Sequence, residues 1–403
     1  MTASRKAPGV GSRSWLVLLL VLVGMLGLET ATRLHQRSKF GSLRTYVPRH
    51  LVDFYRYYRV NPAYRSAIVQ VNAAGFRDEV EMTRQKPANE VRVFVMGGST
   101  VWGEDGVDSI INNRQTIAAH LETSLRRALA ARNDSTRVRV VNAGVVGYLL
   151  FQNIAYFNTG IVEYQPDLIV ALDGHNDLDA LQLGIAPSAH RNQGPLDAEL
   201  NAPSIGGLMS EASRFTAAHS LFARKAQARA TQWLSARALS SDVWQRRMTR
   251  PVSDSESGAW LTRYESSVRR FDGAAKAIGV PVLFSVQNEL AGERLKTFTP
   301  DEVRLRALYT HYTWLHTTMH DRLVSTLAES ARQHGYWLED ISDVFAKEPA
   351  QAYIDYTHLS SRGAEVVADR LALVLLPSLR CADPVHVIAK CRTASDTPLA
   401  TKP

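Results

Sequence analysis

Three apolar runs each end on glycine: "VRVFVMGG" at 91–98, "VRVVNAG" at 138–144 and "DLIVALDG" at 167–174. A run that is apolar at consecutive positions, not alternate ones, suits a strand buried on both faces, and such strands belong to parallel sheets with helices on either side. Segments with helical spacing, 116–131 and 151–163, separate the runs. After a long interruption the alternation resumes, with a helix over 259–279, a strand over 280–288, a helix over 301–335, a strand over 336–345 and a helix over 360–376. The fold class is α/β, a three-layer α/β/α arrangement around a mainly parallel sheet spanning 91–380. Ligands of such open sheets sit beyond the carboxyl ends of the strands, where the winding reverses. Chemistry is therefore expected at 98–99, 142–144 and 174–177.

Other segments fall outside that pattern. Trp15 to Leu28 is an uninterrupted apolar stretch preceded by Arg5, Lys6 and Arg13, and from Ser14 to Thr32 only Glu29 is charged. That length crosses a bilayer if the carboxylate lies at the interface, and no small-residue cleavage site follows, so 1–32 reads as an uncleaved signal anchor. Five basic residues just after it argue against export of the following domain. A short basic start feeding a first apolar helix argues for it, and we expect an extracytoplasmic domain. Residues 33–90 read as a neck, rich in turn formers, and 381–403 as a tail. Cys381 and Cys391 in that tail could close a disulfide in an oxidising compartment or stay as two free thiols.

The net charge of +8, from 47 basic and 39 acidic side chains, is concentrated. Eight basic residues against two acidic lie between Ser210 and Arg250, inside an insertion at 178–257 read as a helical cap. Such a stretch suits an anionic membrane surface, an acidic polymer, or a cap helix with its charges in water. No nucleic-acid motif accompanies it, so nucleic acid is not an expected partner.

The glycine turn at 97–103 has several possible uses. A phosphate loop would need Lys and Ser/Thr where Glu104 and Asp105 stand, and carboxylates repel phosphate. The dinucleotide fingerprint fails because Ser99 and Trp102 take its second and third glycine positions. The G-x-S-x-G elbow is met at Gly97 and Ser99 and missed at Val101. Two uses remain, a tight turn with Ser99 as a helix cap, or Ser99 as a nucleophile. A serine hydroxyl attacks a carbonyl only when a base accepts its proton, and "YIDYTHLSSRG" offers one. Asp355 and His358 are three apart, so one helical turn would set the carboxylate beside the imidazole.

"GGST", "NAGVVGY", "DGHNDL" and "DYTH" occur in that order, three of them after expected strands, and together they resemble the SGNH, or GDSL-like, hydrolase superfamily over 91–376. The resemblance implies a flavodoxin-like sheet, Ser99 as nucleophile, His358 as base and Asp355 as its partner. It also implies an oxyanion hole made by the backbone N–H groups of Ser99 and Gly144 and the side-chain amide of Asn176. Gly98 departs from the aspartate of the family's name motif. No cofactor and no metal are implied. His316 and His320 share a helical face near His311 and Asp321, but without a further ligand they read as a solvated or part-buried face. Asp173, Asp177 and Asp179 lack the order of a calcium loop.

The expected activity is a membrane-anchored serine esterase whose substrate is an acyl ester, with acylated surface or exported polysaccharide as one class. Two alternatives stay open, an O-acyltransferase using the same residues and an inactive polysaccharide-binding or assembly factor.

Overall fold

The computed structural model describes residues 12–40, 47, 49–66, 68–103, 111–184, short stretches between 215 and 230, and 249–379. Cys381, Cys391 and most of the basic insertion lie outside them. The chain divides into two units, one formed by 1–47 with 198–241 and the other by 48–197 with 242–403.

The larger unit holds a parallel sheet of five strands: β3 (Glu90–Gly97), β4 (Arg137–Gly144), β5 (Leu168–Asp173), β6 (Val282–Val286) and β7 (Trp337–Leu338), in the order β4-β3-β5-β6-β7. The first crossover runs outward from β3 to β4 and the next returns past β3 to β5, so the winding reverses between β3 and β5. An antiparallel hairpin, β1 (His50–Asp53) and β2 (Tyr57–Val60), precedes the sheet. The expected α/β class is what the chain adopts.

Side chains along each strand alternate between two cores. Val91, Val93 and Val95 of β3 pack with α3 (Ile117–Ala130) and α8 (Ser361–Leu379) on one face. Phe94 and Met96 pack with α4 (Leu150–Thr159), α6 (Asp254–Lys276) and α7 (Pro300–His334) on the other. Each such side chain fully buried contributes roughly 1.5–3 kcal/mol, which explains why both faces of the strands are largely apolar.

Three expectations need correction. Tyr58, Val60, Val69, Val71 and Phe76 are buried in the core shared with Phe94, so most of the neck belongs to the sheet domain. The last strand is two residues, not ten, because Asp340 Oδ1 accepts the Ser342 N–H at 2.9 Å and turns the chain away from the edge. The helix expected over 151–163 stops at Thr159 and continues as a tighter turn, Ile161–Tyr164.

In the smaller unit, α1 (Ser12–Phe40) includes Trp15–His35, 21 residues with mean hydropathy 2.0, long and apolar enough to cross a membrane. Glu29 pairs with Arg33 at 2.6 Å and accepts hydrogen bonds from Ser220 Oγ and the N–H groups of Leu221 and Phe222.

Candidate active site

Ser99 opens α2 (Ser99–Trp102), a single helical turn directly after β3. The first N–H groups of a helix have no partner inside it, so the Ser99 N–H starts out available as a donor. At the far end of this turn, the buried Arg77 donates to the Gly103 carbonyl at 2.9 Å and to the Trp102 carbonyl. A cation there suits the negative end of the helical turn and fixes its direction. Arg77, in "AAGFRDE", escaped the sequence reading because a lone arginine in a turn-rich stretch carries no periodic signal.

Asp355 and His358 come from the segment between β7 and α8. They do not share a helical turn. The segment is a loop closed by a bridge between Tyr353 and Leu359, and Asp355 Oδ1 accepts the N–H groups of Thr357 at 2.8 Å and His358 at 2.7 Å. This local turn does what the helix was expected to do. His358 Nδ1 lies 2.7 Å from Asp355 Oδ2, and His358 Nε2 lies 2.7 Å from Ser99 Oγ. Residues 99 and 358 thus meet across 259 positions of chain. The carboxylate accepts a hydrogen bond from the Nδ1–H, which leaves Nε2 with its lone pair toward the hydroxyl. Asp355 and His358 are buried, so water competes little for these bonds.

The loop is tied to its surroundings at several points. Gln287 Nε2 donates to Thr357 Oγ1 at 2.8 Å, and the Leu290 N–H donates to the Tyr356 carbonyl at 3.0 Å. Both partners follow β6, so the strand end carries the loop.

Asn176 lies in the first turn of α5 (His175–Gln182), after β5. Its Nδ2 donates to the Tyr148 carbonyl at 2.8 Å, leaving the second hydrogen of the amide to donate elsewhere. A Cβ added to Gly98 would lie 2.4 Å from this nitrogen, which sets the amide against the serine turn.

Gly144 is placed differently from expectation. Its N–H donates to Asn142 Oδ1 at 3.0 Å, so that hydrogen is already engaged. A Cβ there would lie 2.4 Å from the Trp102 nitrogen, which gives a steric reason for the glycine, the close approach of β4 to α2. The part of this strand end that meets Asn176 is the turn 145–148, in which Gly147 holds a left-handed φ of 78°. The second glycine of "NAGVVGY" was the available signal.

A cavity of ≈ 540 Å³ adjoins the site through Leu149 and Asp177, the residues next to Tyr148 and Asn176. Trp260 and Tyr264, stacked at 5.3 Å, share its wall with Arg263 and Arg270, while Ser99 and His358 are not among its lining residues. Burial pushes the Asp177 carboxyl up to about 7 and the neighbouring Asp173 well above the usual range.

Among the described residues, one other cluster has metal-ligating types. Donor atoms of His175, Glu289 and His316 lie within 4.8 Å of one another, and all three residues are buried. His316 and His320 are thus interior, not on the solvated or part-buried face expected from their spacing.

No family model matches the chain, and no curated protein sequence matches it. Among solved structures it is similar to LAE5, an alpha/beta hydrolase enzyme from the metagenome of Lake Arreo, at 16% identity over 71% of this chain and 96% of that one, with a TM-score of 0.35. It is similar to the acetylxylan esterase Axe2 from Geobacillus stearothermophilus at 14% identity over 70% and 92%, with a TM-score of 0.37. The acetyl xylan esterase AlAXEase gives 12% identity over 71% and 100%, with a TM-score of 0.36.

Proposed function

We propose that the chain is a serine ester hydrolase in which Ser99 is the nucleophile, His358 the general base and acid, and Asp355 the group that orients the imidazole. The reading rests on the unbroken chain of two 2.7 Å contacts from Asp355 through His358 to Ser99 at the mouth of the β3 strand end. In the first step Ser99 Oγ bonds to the ester carbonyl carbon as its proton passes to His358 Nε2. The carbonyl oxygen takes the negative charge, facing the Ser99 N–H, the Asn176 amide and, in place of Gly144, the Gly147 N–H. Collapse breaks the ester bond, and the alcohol leaves with the proton from His358. Water then repeats the sequence on the acyl-enzyme and releases the acid. Each preplaced donor contributes about 2.7–4 kcal/mol to such a transition state.

The substrate belongs to the same proposal. The cavity beside Asn176, with stacked aromatics and two arginines, fits an ester carried on a polar polymer such as an acylated polysaccharide. The α1 helix supports a membrane-anchored enzyme, and the short basic start before it an extracytoplasmic sheet domain, with 91–380 together with the packed part of the neck as catalytic domain and 178–257 as insertion.

Turnover of short-chain aryl esters and labelling by a fluorophosphonate test the reading. Ser99→Ala is expected to abolish both while the circular dichroism spectrum stays unchanged. Equal turnover by the two proteins would remove Ser99 from the mechanism. A labelled acetyl group that appears on polysaccharide instead of as free acetate would make the same residues an O-acyltransferase.

A further inference from the structure

Four buried side chains that the ester chemistry does not use meet beneath the strand ends: His175 and Asp179 from α5, Glu289 from the segment after β6, and His316 from α7. Glu289 Oε2 lies 2.6 Å from His175 Nδ1 and 2.8 Å from His316 Nδ1, and His316 Nε2 lies 3.2 Å from Asp179 Oδ1. Both nitrogens of His316 face carboxylate oxygens. A lone pair there would meet a negative charge, so each nitrogen carries a proton and the ring is an imidazolium.

A metal ion fits these distances less well than protons do. Two ligands of a tetrahedral zinc site, each about 2.0–2.2 Å from the ion, sit about 3.3 Å apart. The observed 2.6 and 2.8 Å are hydrogen-bond lengths.

Each arm of the cluster is next to a group of the proposed site. His175 precedes Asn176 in the chain. Glu289 precedes Leu290, whose N–H holds the Tyr356 carbonyl at 3.0 Å, between Asp355 and His358. The His175 ring also lies 5.6 Å from the Tyr356 ring. Apolar side chains of the same volume would stabilise the fold at least as well as buried charges, whereas charges with fixed directions specify geometry.

We propose that His316 is a positioning residue for ester hydrolysis: its bridge between Glu289 and Asp179 holds the Asn176 amide and the Asp355–His358 loop at their working distances. The role rests on Ser99, His358 and Asn176 acting as proposed above.

Burial would lower the proton affinity of His316, but Glu289 and Asp179 outweigh it and hold the ring at about 10. Facing it are His175 and Asp179 from α5 and Glu289 after β6. On its own helix, the next turn carries His320, whose Nε2 lies 3.3 Å from the Gln287 carbonyl. A folded value above the ordinary 6.5 means that the contribution is complete below about pH 6.5 and is lost as pH rises through about 10.

The test uses the full chain in detergent with an aryl ester, counting active sites by fluorophosphonate labelling of Ser99. Glu289→Gln and His316→Gln are expected to lower kcat per labelled site about 10- to 100-fold, the scale of a misplacement near 1 Å, with KM changed less than about 3-fold. The wild-type kcat is expected to fall through about pH 10, and His316→Gln to lack that limb. Unchanged kcat per labelled site in both variants, with only a lower melting temperature, would overturn the role. So would one equivalent of zinc in the wild type that both substitutions remove. The wild type needs no substitution to fold, and a kcat flat through pH 11 overturns the role by itself. A wild type that fluorophosphonate does not label would overturn the nucleophile assignment and this role together.

Discussion

Gly98, directly before Ser99, has no room for a side chain while the Asn176 amide stays where it is. Any Cβ at this position would lie 2.4 Å from Asn176 Nδ2, so a side chain there would push the amide away from the serine turn. Gly98→Asp is therefore expected to lower kcat on aryl esters about 10²–10³-fold, the loss that follows removal of one oxyanion donor, while Ser99 still reacts with fluorophosphonate. Undiminished kcat would mean that Asn176 is not a donor in the reaction. Asp177, next along the chain, makes a prediction of opposite kind. Its folded pKa, raised from 3.8 to about 7 by burial, means that the folded state holds a proton the unfolded state has already lost. Stability falls as pH rises from about 4 to about 7. Asp177→Asn keeps an oxygen to accept the Leu150 N–H, which Asp177 Oδ2 now accepts at 3.1 Å, and removes the half-buried charge. Its melting temperature should exceed that of the wild type at pH 8, and the gain should vanish near pH 4. An equal gain at both values would assign it to packing. At this scale the motif letters pointed to Ser99, Asp355 and His358, which the fold joins by two 2.7 Å contacts, and to Asn176, whose amide meets the Tyr148 carbonyl. They could not show that the Gly144 N–H is engaged, because that depends on a side chain, Asn142, folding back onto the strand.

The loop from Tyr353 to Leu359 depends on an element far from the reacting atoms. Glu302, in the first turn of α7, accepts the Ala352 and Tyr353 N–H groups at 2.8 and 3.3 Å and lies 3.5 Å from Lys296 Nζ, with both side chains fully buried. Lys296 in turn donates to the carbonyls of Glu348 and Ala350 at 2.7 and 2.8 Å. A carboxylate is required, since a buried ammonium that loses its counter-charge costs about 3–5 kcal/mol. Glu302→Gln should lower unfolding stability in urea by about that amount, although glutamine can still accept the two N–H groups. An unchanged midpoint would show that the pairing of Lys296 with Glu302 does not stabilise the fold. Elements were legible where they bury a repeating face: β3, β4, β5 and the long helices are read from apolar runs ended by glycine or a cap. The loop was not, because its bonds to Glu302 and Gln287 join positions about 50 and 70 residues apart and leave no local pattern. The hairpin and the 61–77 stretch were misread as a neck for the same reason. Their apolar side chains, Tyr58, Val60 and Phe76, are spaced irregularly and find their core only in the fold.

Two features of the whole chain can bind a membrane, and their physics differs. The basic residues of the 210–250 stretch would act through charge, an attraction that weakens as salt shortens the screening length from about 8 Å at physiological ionic strength to about 3 Å at 1 M. The α1 helix acts through apolar area. Between Trp15 and His35 no described side chain is buried against protein, and exposed leucines and valines run from Leu16 to Leu28. At about 25 cal/mol per Å² of apolar surface, a helix of this length holds far more tightly than a handful of surface charges worth about 1 kcal/mol each. Glu29 does not oppose this, since its carboxylate already has Arg33, Ser220 and two backbone N–H groups as partners. The expressed chain should therefore stay with the membrane fraction through 1 M salt and alkaline carbonate and leave only in detergent. Deletion of 12–40 should move it to the soluble fraction, because the basic stretch alone is released by salt. Release of the intact chain by 1 M salt would place the attachment in the charges, and α1 would then need another partner for its apolar surface.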